Sequence, residues 1–213
     1  MSDDVQEYRG KSILVRFDGK KCIHSRHCVL GRPDVFVPDA SGAWIQPDGA
    51  PAEETAALAR ACPSGALAYE RLDGAEQEGP PAVNVVRVLE NGPLAVRADL
   101  AIEGQPPLLR ATLCRCGASR NKPFCDGGHA DARFKASGEP MEQDSAPLAD
   151  RGGTLTVKPI RNGPLVLAGN LEICSGTGHT VTRAQRAVVC RCGKSRNKPF
   201  CDGTHAEIGF TTE

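Results

Sequence analysis

The sequence predicts an α+β chain made of a small mixed unit over residues 1–76 and two copies of a β-rich unit over residues 82–138 and 152–213. Three observations carry this. The phrase "CRCGASRNKPFCDGGH", from Cys114 to His129, returns as "CRCGKSRNKPFCDGTH", from Cys190 to His205, altered only at Ala118/Lys194 and Gly128/Thr204. Apolar and β-branched runs stand upstream of both copies, which is how half-buried strands read. In the first part a single helical pattern lies between two strand-like runs.

Taken in order, "SILVRF" at 12–17 reads as a strand, "PAEETAALARA" at 51–61 as a helix stopped by Cys62 and Pro63, and "ALAYERL" at 66–72 as a second strand. The polar "GAEQEGPPA" at 74–82 reads as a linker. The first copy opens with "VNVVRVL" at 83–89, turns at an Asn-Gly-Pro and returns in "NGPLAVRADLAI", a hairpin signature. A third run, "LLRATL", leads into Cys114. After a linker at 138–153, "TLTVKPI", "NGPLVLAGNLEI" and "RAVV" repeat the plan. Asn91 and Asn162 are 71 residues apart but Cys114 and Cys190 are 76 apart, so the second copy carries five extra residues, which are expected in a loop between strands. "DGGHADARF" and "DGTHAEIGF" predict one or two helical turns with Asp126 and Asp202 at the N-caps.

Composition sets limits. With 16 Pro, 23 Gly and 4% aromatics in 213 residues, the cores are expected to be thin and to profit from a staple. Ten cysteines can supply one. The opening "MSDDVQEYRG" lacks a basic stretch followed by an apolar one, so the expected compartment is the cytoplasm and the cysteines are read as metal ligands rather than disulfides. No run of about 18 apolar residues predicts a membrane span. Formal charge is zero, with nine Lys and Arg against thirteen Asp and Glu in residues 1–80 and seventeen against thirteen thereafter. Neither nucleic acid nor membrane is therefore an expected partner.

The repeated phrase spaces its ligands as Cys-x-Cys, eight residues, Cys, three residues, His: Cys114, Cys116, Cys125 and His129, then Cys190, Cys192, Cys201 and His205. Three thiolates and an imidazole suit a tetrahedral soft-metal site, and spacing alone leaves zinc and an iron-sulfur cluster both open. The phrase resembles the signature of the CDGSH iron-sulfur domain family, the mitoNEET-like proteins, over roughly residues 83–135 and 154–211. That resemblance implies a 2Fe-2S cluster on three Cys and one His in each copy. It also implies units associated about a two-fold axis with exchanged strands, here an intramolecular pseudo-dimer within a monomer. Neutral imidazole in place of thiolate raises a cluster's potential and adds a ligand that protons compete for. Gly117 and Gly193 are expected to let backbone approach the sulfides, Pro123 and Pro199 to stiffen the loop, and Phe124 and Phe200 to cover the cluster. Asp126, Asp202, Lys122 and Lys198 are expected around the ligands, and Arg115 and Arg191 either offset cluster charge or are solvated loop cations.

In the N-terminal part, "KCIHSRHCVLG" supplies Cys22 and Cys28, and "RACPSGAL" supplies Cys62. This pattern resembles the divergent single-cluster 4Fe-4S ferredoxin family, with Ser25 where a middle cysteine would stand, and implies a ferredoxin-like unit. Three cysteines can hold a 3Fe-4S cluster, or a 4Fe-4S cluster whose fourth iron takes His24, Ser25, His27 or water. A ferredoxin-like fold with unused thiols is the alternative.

The functional expectation is an iron-sulfur protein that moves electrons or stores and hands on clusters, working with a redox or cluster-acceptor protein. No nucleotide-binding glycine motif and no nucleophile with its base is recognisable, so the chain is not expected to be an enzyme by itself. The alternatives are a zinc-binding interaction module and a thiol- or flavin-directed redox enzyme.

Overall fold

Among residues 5–212, which this computed structural model describes, nine strands, three short α-helices and two 3-10 turns form two units divided between Gly79 and Pro80. The first unit is an antiparallel sheet in the order β1 (Val5–Arg9), β2 (Ile13–Asp18), β3 (Leu67–Arg71). On it lies α2 (Ala52–Ala61), which follows α1 (His27–Gly31) in the chain. Pro51 precedes α2, Glu53 and Glu54 occupy its first turn and Arg60 its last, so its charges oppose the helix dipole at both ends. Thr55, Ala56 and Ala59 are buried with Ile13, Val15, Val35, Phe36, Ile45 and Leu67. Small helix residues let α2 approach the sheet closely. Trp44 fills the remaining volume edge-on to Phe17, with ring centroids 4.8 Å apart.

β1 was not expected. "VQEYR" is almost wholly exposed along the sheet edge and so lacks the apolar alternation that marks β2 and β3.

The second unit contains β4 (Val85–Val88), β5 (Leu94–Ile102), β6 (Leu108–Leu113), β7 (Thr154–Pro159), β8 (Leu165–Cys174) and β9 (Thr180–Val189) in one sheet. Each copy makes its own antiparallel β4–β5–β6 or β7–β8–β9 meander. The far half of β5 pairs in parallel with β7, from Asp99↔Thr154 to Ile102↔Val157. The far half of β8 pairs in parallel with β4, from Val85↔Glu172 to Arg87↔Cys174. The pattern of pairings is unchanged when the copies are interchanged. Val86, Val88, Leu94, Val96 and Leu100 from one copy and Leu155, Val157, Leu165, Leu167 and Leu171 from the other accordingly share a single aliphatic core. Each such side chain contributes about 1.5–3 kcal/mol on burial.

Two local expectations are corrected. The five extra residues lengthen the β8–β9 hairpin rather than its loop, since β9 has ten residues where β6 has six. The added length is used, because Thr180, Thr182 and Arg183 pair with the same end of β8 that β4 joins. Only the second copy forms the helix expected after its third cysteine, α3 (Thr204–Glu207), whereas residues 128–133 of the first are turns. Gly127 and Gly128 together lack the side chains that would favour a helix start there.

The segment 138–153 contains no strand or helix, yet it is pinned: the Gln143 N–H donates to Val181 O (2.8 Å) and the Arg183 N–H to Ser145 Oγ (3.0 Å).

Candidate metal centres

β6 ends at Leu113, and Cys114 follows it directly. Phe124 returns to Leu113 as an isolated antiparallel bridge, with the Cys114 N–H on Pro123 O and the Cys125 N–H on Thr112 O, each 2.8 Å. Val189 and Phe200 repeat the bridge, with Cys190 on Pro199 O (2.8 Å) and Cys201 on Val188 O (2.9 Å). The third cysteine is thereby hung on the strand that delivers the first. Phe124 is 5% exposed and belongs to the aliphatic core, as a wedge between loop and sheet.

Cys114 Sγ and Cys116 Sγ are 3.8 Å apart, Cys190 and Cys192 3.7 Å. Two sulfurs bound to one tetrahedral metal at about 2.3 Å stand about 3.8 Å apart, so each pair is spaced for one metal ion. Cys125 Sγ lies 3.3 Å from His129 Nδ1 and Cys201 Sγ 3.4 Å from His205 Nδ1. Among the described residues no three Cys, His, Asp or Glu side chains converge on a single ion. Each copy therefore presents two donor pairs, one all-thiol and one thiol with imidazole. That donor set fits a two-metal cluster.

The thiols are not electrostatically equal. Cys114 is pulled down to about 6 because the Cys116 thiol donates to it, and Cys116 is pushed up by the same hydrogen bond and by burial. Burial raises Cys125 to about 11 and also raises Cys190. Loading metal must release these protons. Backbone N–H groups of Ala118 and Gly127 point at Cys116 and Cys125 (3.4 Å each) and favour their thiolates, and the Gly203 N–H points at Cys201 Sγ (3.5 Å).

Asp126 and Asp202 brace the loop rather than cap a helix. The Asp126 carboxylate accepts from the Arg120 N–H (2.8 Å) and the Gly128 N–H (2.9 Å). Asp202 accepts from Arg196 (2.8 Å) and Thr204 (3.1 Å), while the N-cap of α3 is Gly203. Burial works against the Asp126 charge, but the two N–H donors together hold its pKa below the usual range. Asp202 is held well below it, first by Arg196 and then by Thr204. Lys122 and Lys198 donate to Ser119 O and Ser195 O within their own loops. The hydroxyls of Ser119 and Ser195, unnoticed in the sequence, accept from Asn121 and Asn197 (3.0 Å each) and donate to Phe124 O (2.6 Å) and Phe200 O (2.7 Å). Their identity in both copies was the available signal.

Arg115 and Arg191 are not solvated loop cations. They are 1% and 3% exposed. Arg115 donates to Leu89 O, Gly92 O, Ala136 O and Ser137 O and lies over the Phe134 ring at 5.3 Å. Arg191 donates to Ile160 O and Gly163 O over Phe210 at 5.9 Å. Each ties the Asn-Gly-Pro turn to the cysteine loop, and Arg115 adds the segment after the histidine. Burial lowers Arg115 to about 10, and the charge of Cys190, in the other copy, works against that shift. Arg191 is likewise lowered by burial and feels Cys114.

In the first unit, Cys22, Cys28 in α1 and Cys62 at the C-cap of α2 line one cavity of about 300 Å³ with Phe17, Ile23, Trp44 and Leu67. His24 and Ser25 line it too; His27 is not among its lining residues. Burial raises the pKa of Cys22 and of Cys28, and the charge of Cys62 adds to both. The three thiols thus lie within reach of one another's fields.

Cysteine loops standing on a sheet, each with a histidine ring nitrogen beside its third cysteine, present donors suited to a soft metal. Residues 91–130 and 162–206 match the family described as iron-binding zinc finger, CDGSH type, and residues 8–72 match the divergent 4Fe-4S mono-cluster family. Two tandem segments of the chain thus match the CDGSH family, and the segment before them matches the mono-cluster family. No curated protein and no solved structure matches the chain. No helix among the described residues is long and apolar enough to cross a membrane.

Proposed function

We propose that this chain is an electron or cluster carrier and not an enzyme by itself. Cys114, Cys116, Cys125 and His129 would hold one 2Fe-2S cluster, and Cys190, Cys192, Cys201 and His205 a second, in an intramolecular pseudo-dimer. Cys22, Cys28 and Cys62 would hold a third cluster, 3Fe-4S or 4Fe-4S, in a ferredoxin-like first unit. The observation that carries this reading is the grouping of each copy's ligands into two close pairs, one of two thiols and one of a thiol and an imidazole. A bound two-iron cluster supplies a one-electron store.

The residues of the chain control access to it. A proton arriving at Nδ1 of His129 or His205 competes for the lone pair that ligates metal. Burial lowers the His129 pKa, with Arg115 adding to this and Asp126 opposing it. A histidine whose folded pKa is depressed contributes stability that is complete above its unfolded value of about 6.5 and is lost as pH falls through the folded one. Acid therefore weakens both ligation and fold at this position. The expected partner is a cytoplasmic redox or cluster-acceptor protein.

The test is iron, zinc and acid-labile sulfide per chain in anaerobically purified protein. About four irons with four sulfides establish the two repeated sites, and about seven or eight irons establish the third as well. Stoichiometric zinc without sulfide would mean a structural zinc module.

A further inference from the structure

The two Cys-x-Cys-Gly loops lie against each other. A Cβ added to Gly117 would stand 2.8 Å from the carbonyl oxygen of Cys192 and 3.1 Å from its carbon. A Cβ on Gly193 would collide with the carbonyl oxygen of Cys116, its nearest neighbour, at closer range still. Both glycines are in the left-handed region, at φ +84° and +78°. So the neighbour that each of these glycines avoids is a ligand residue of the other copy.

Left-handed glycines elsewhere show what strain alone looks like. Gly104 (φ +79°) and Gly209 (φ +60°) would place a Cβ in open space, with no atom within 4 Å. A substitution at Gly104 or Gly209 costs backbone strain only. At Gly117 or Gly193 it must also push away the peptide that carries the facing copy's second cysteine. The same adjacency places Arg115 in the field of Cys190 and Arg191 in the field of Cys114.

We infer that the two metal centres are one interdependent device, in which Gly193 positions the Cys114–Cys116 pair and Gly117 positions the Cys190–Cys192 pair. Each glycine is a positioning residue for the centre it does not belong to. A chain in which one loop is displaced loses the geometry of both thiol pairs. Loading of either centre also fixes the wall against which the other forms. This rests on the two-iron reading of the repeated sites.

The experiment uses the full chain with the second centre disabled away from its loop, by Cys201→Ser and His205→Ala. That chain retains the Cys114, Cys116, Cys125 and His129 centre, read by the two-iron EPR signal after reduction and by its half-life under chelator. Adding Gly193→Ala should shorten the half-life at least tenfold, whereas Gly209→Ala should change it less than twofold. The thermal midpoint of each metal-free chain reports whether the sheet has folded. Should Gly193→Ala prevent folding, the reciprocal pair serves: Gly117→Ala against Gly104→Ala, in a chain disabled by Cys125→Ser and His129→Ala. Equal half-lives for the loop glycine and its control in a folded chain overturn the inference. If the unsubstituted chain contains no sulfide, it is the two-iron reading that fails instead.

Discussion

At the residue scale the two centres differ by one side chain next to the histidine. Thr204 is 8% exposed, opens α3, and engages Asp202 through both its N–H and its hydroxyl. Gly128 offers Asp126 only an N–H and is followed by turns. A hydrogen bond to a charged group is stronger than one between neutral groups, so the brace behind His205, which has one more of them, is firmer than the one behind His129. The first centre should lose its iron to a chelator about tenfold faster than the second. Thr204→Gly should remove most of that difference by accelerating the slower phase; biphasic kinetics that this substitution leaves untouched would sink the idea. The Gly/Thr difference was legible in the sequence, as were all the cysteines and both histidines. The burial of Arg115 and Arg191 was not, because nothing local to "CRC" reveals that backbone carbonyls from residues as distant as Leu89 and Ile160 converge on their guanidinium groups.

At the scale of elements, the readable strands were those with a buried face. β5 alternates buried and less buried positions along its whole length, and α2 carries its own stop in Cys62 and Pro63. The parallel pairings of β5 with β7 and β4 with β8 left no trace in periodicity, since a strand's alternation says which face is buried and not which neighbour it meets. Those pairings make the covalent connection between the copies dispensable. A protease site placed at Met141, which is 88% exposed, should be cut without separating the halves. After nicking, the two fragments should elute together in native gel filtration and part only in denaturant, because the shared core and the parallel pairings between the copies hold them. Fragments that separate under native conditions would show that the segment 138–153 is what keeps the copies paired.

At the scale of the whole molecule, the three ligand sets predict a pH response divided between the units. In the second unit each proposed centre depends on one imidazole, and the field around His129 is dominated by burial, so its neutral form is favoured until acid overcomes it. The sign is fixed: protonation removes the ligand and, through the depressed folded pKa, also removes stability as pH falls below about 6.5. In the first unit the three proposed ligands are thiols whose pKa values burial has raised at Cys22 and Cys28, so the imidazole mechanism has no counterpart there unless His24 completes the site. Moving from about pH 7 to about pH 5.5 should therefore bleach the two-iron absorbance in two steps while the first unit's iron is retained. Replacing His129→Cys should slow only one of those steps, and His129→Cys with His205→Cys should slow both by about tenfold, the thiolate being held by the metal against protons at this pH. Loss rates on acidification that the double substitution leaves unchanged would mean that neither histidine ligates, and that the acid-labile element lies among the cysteines.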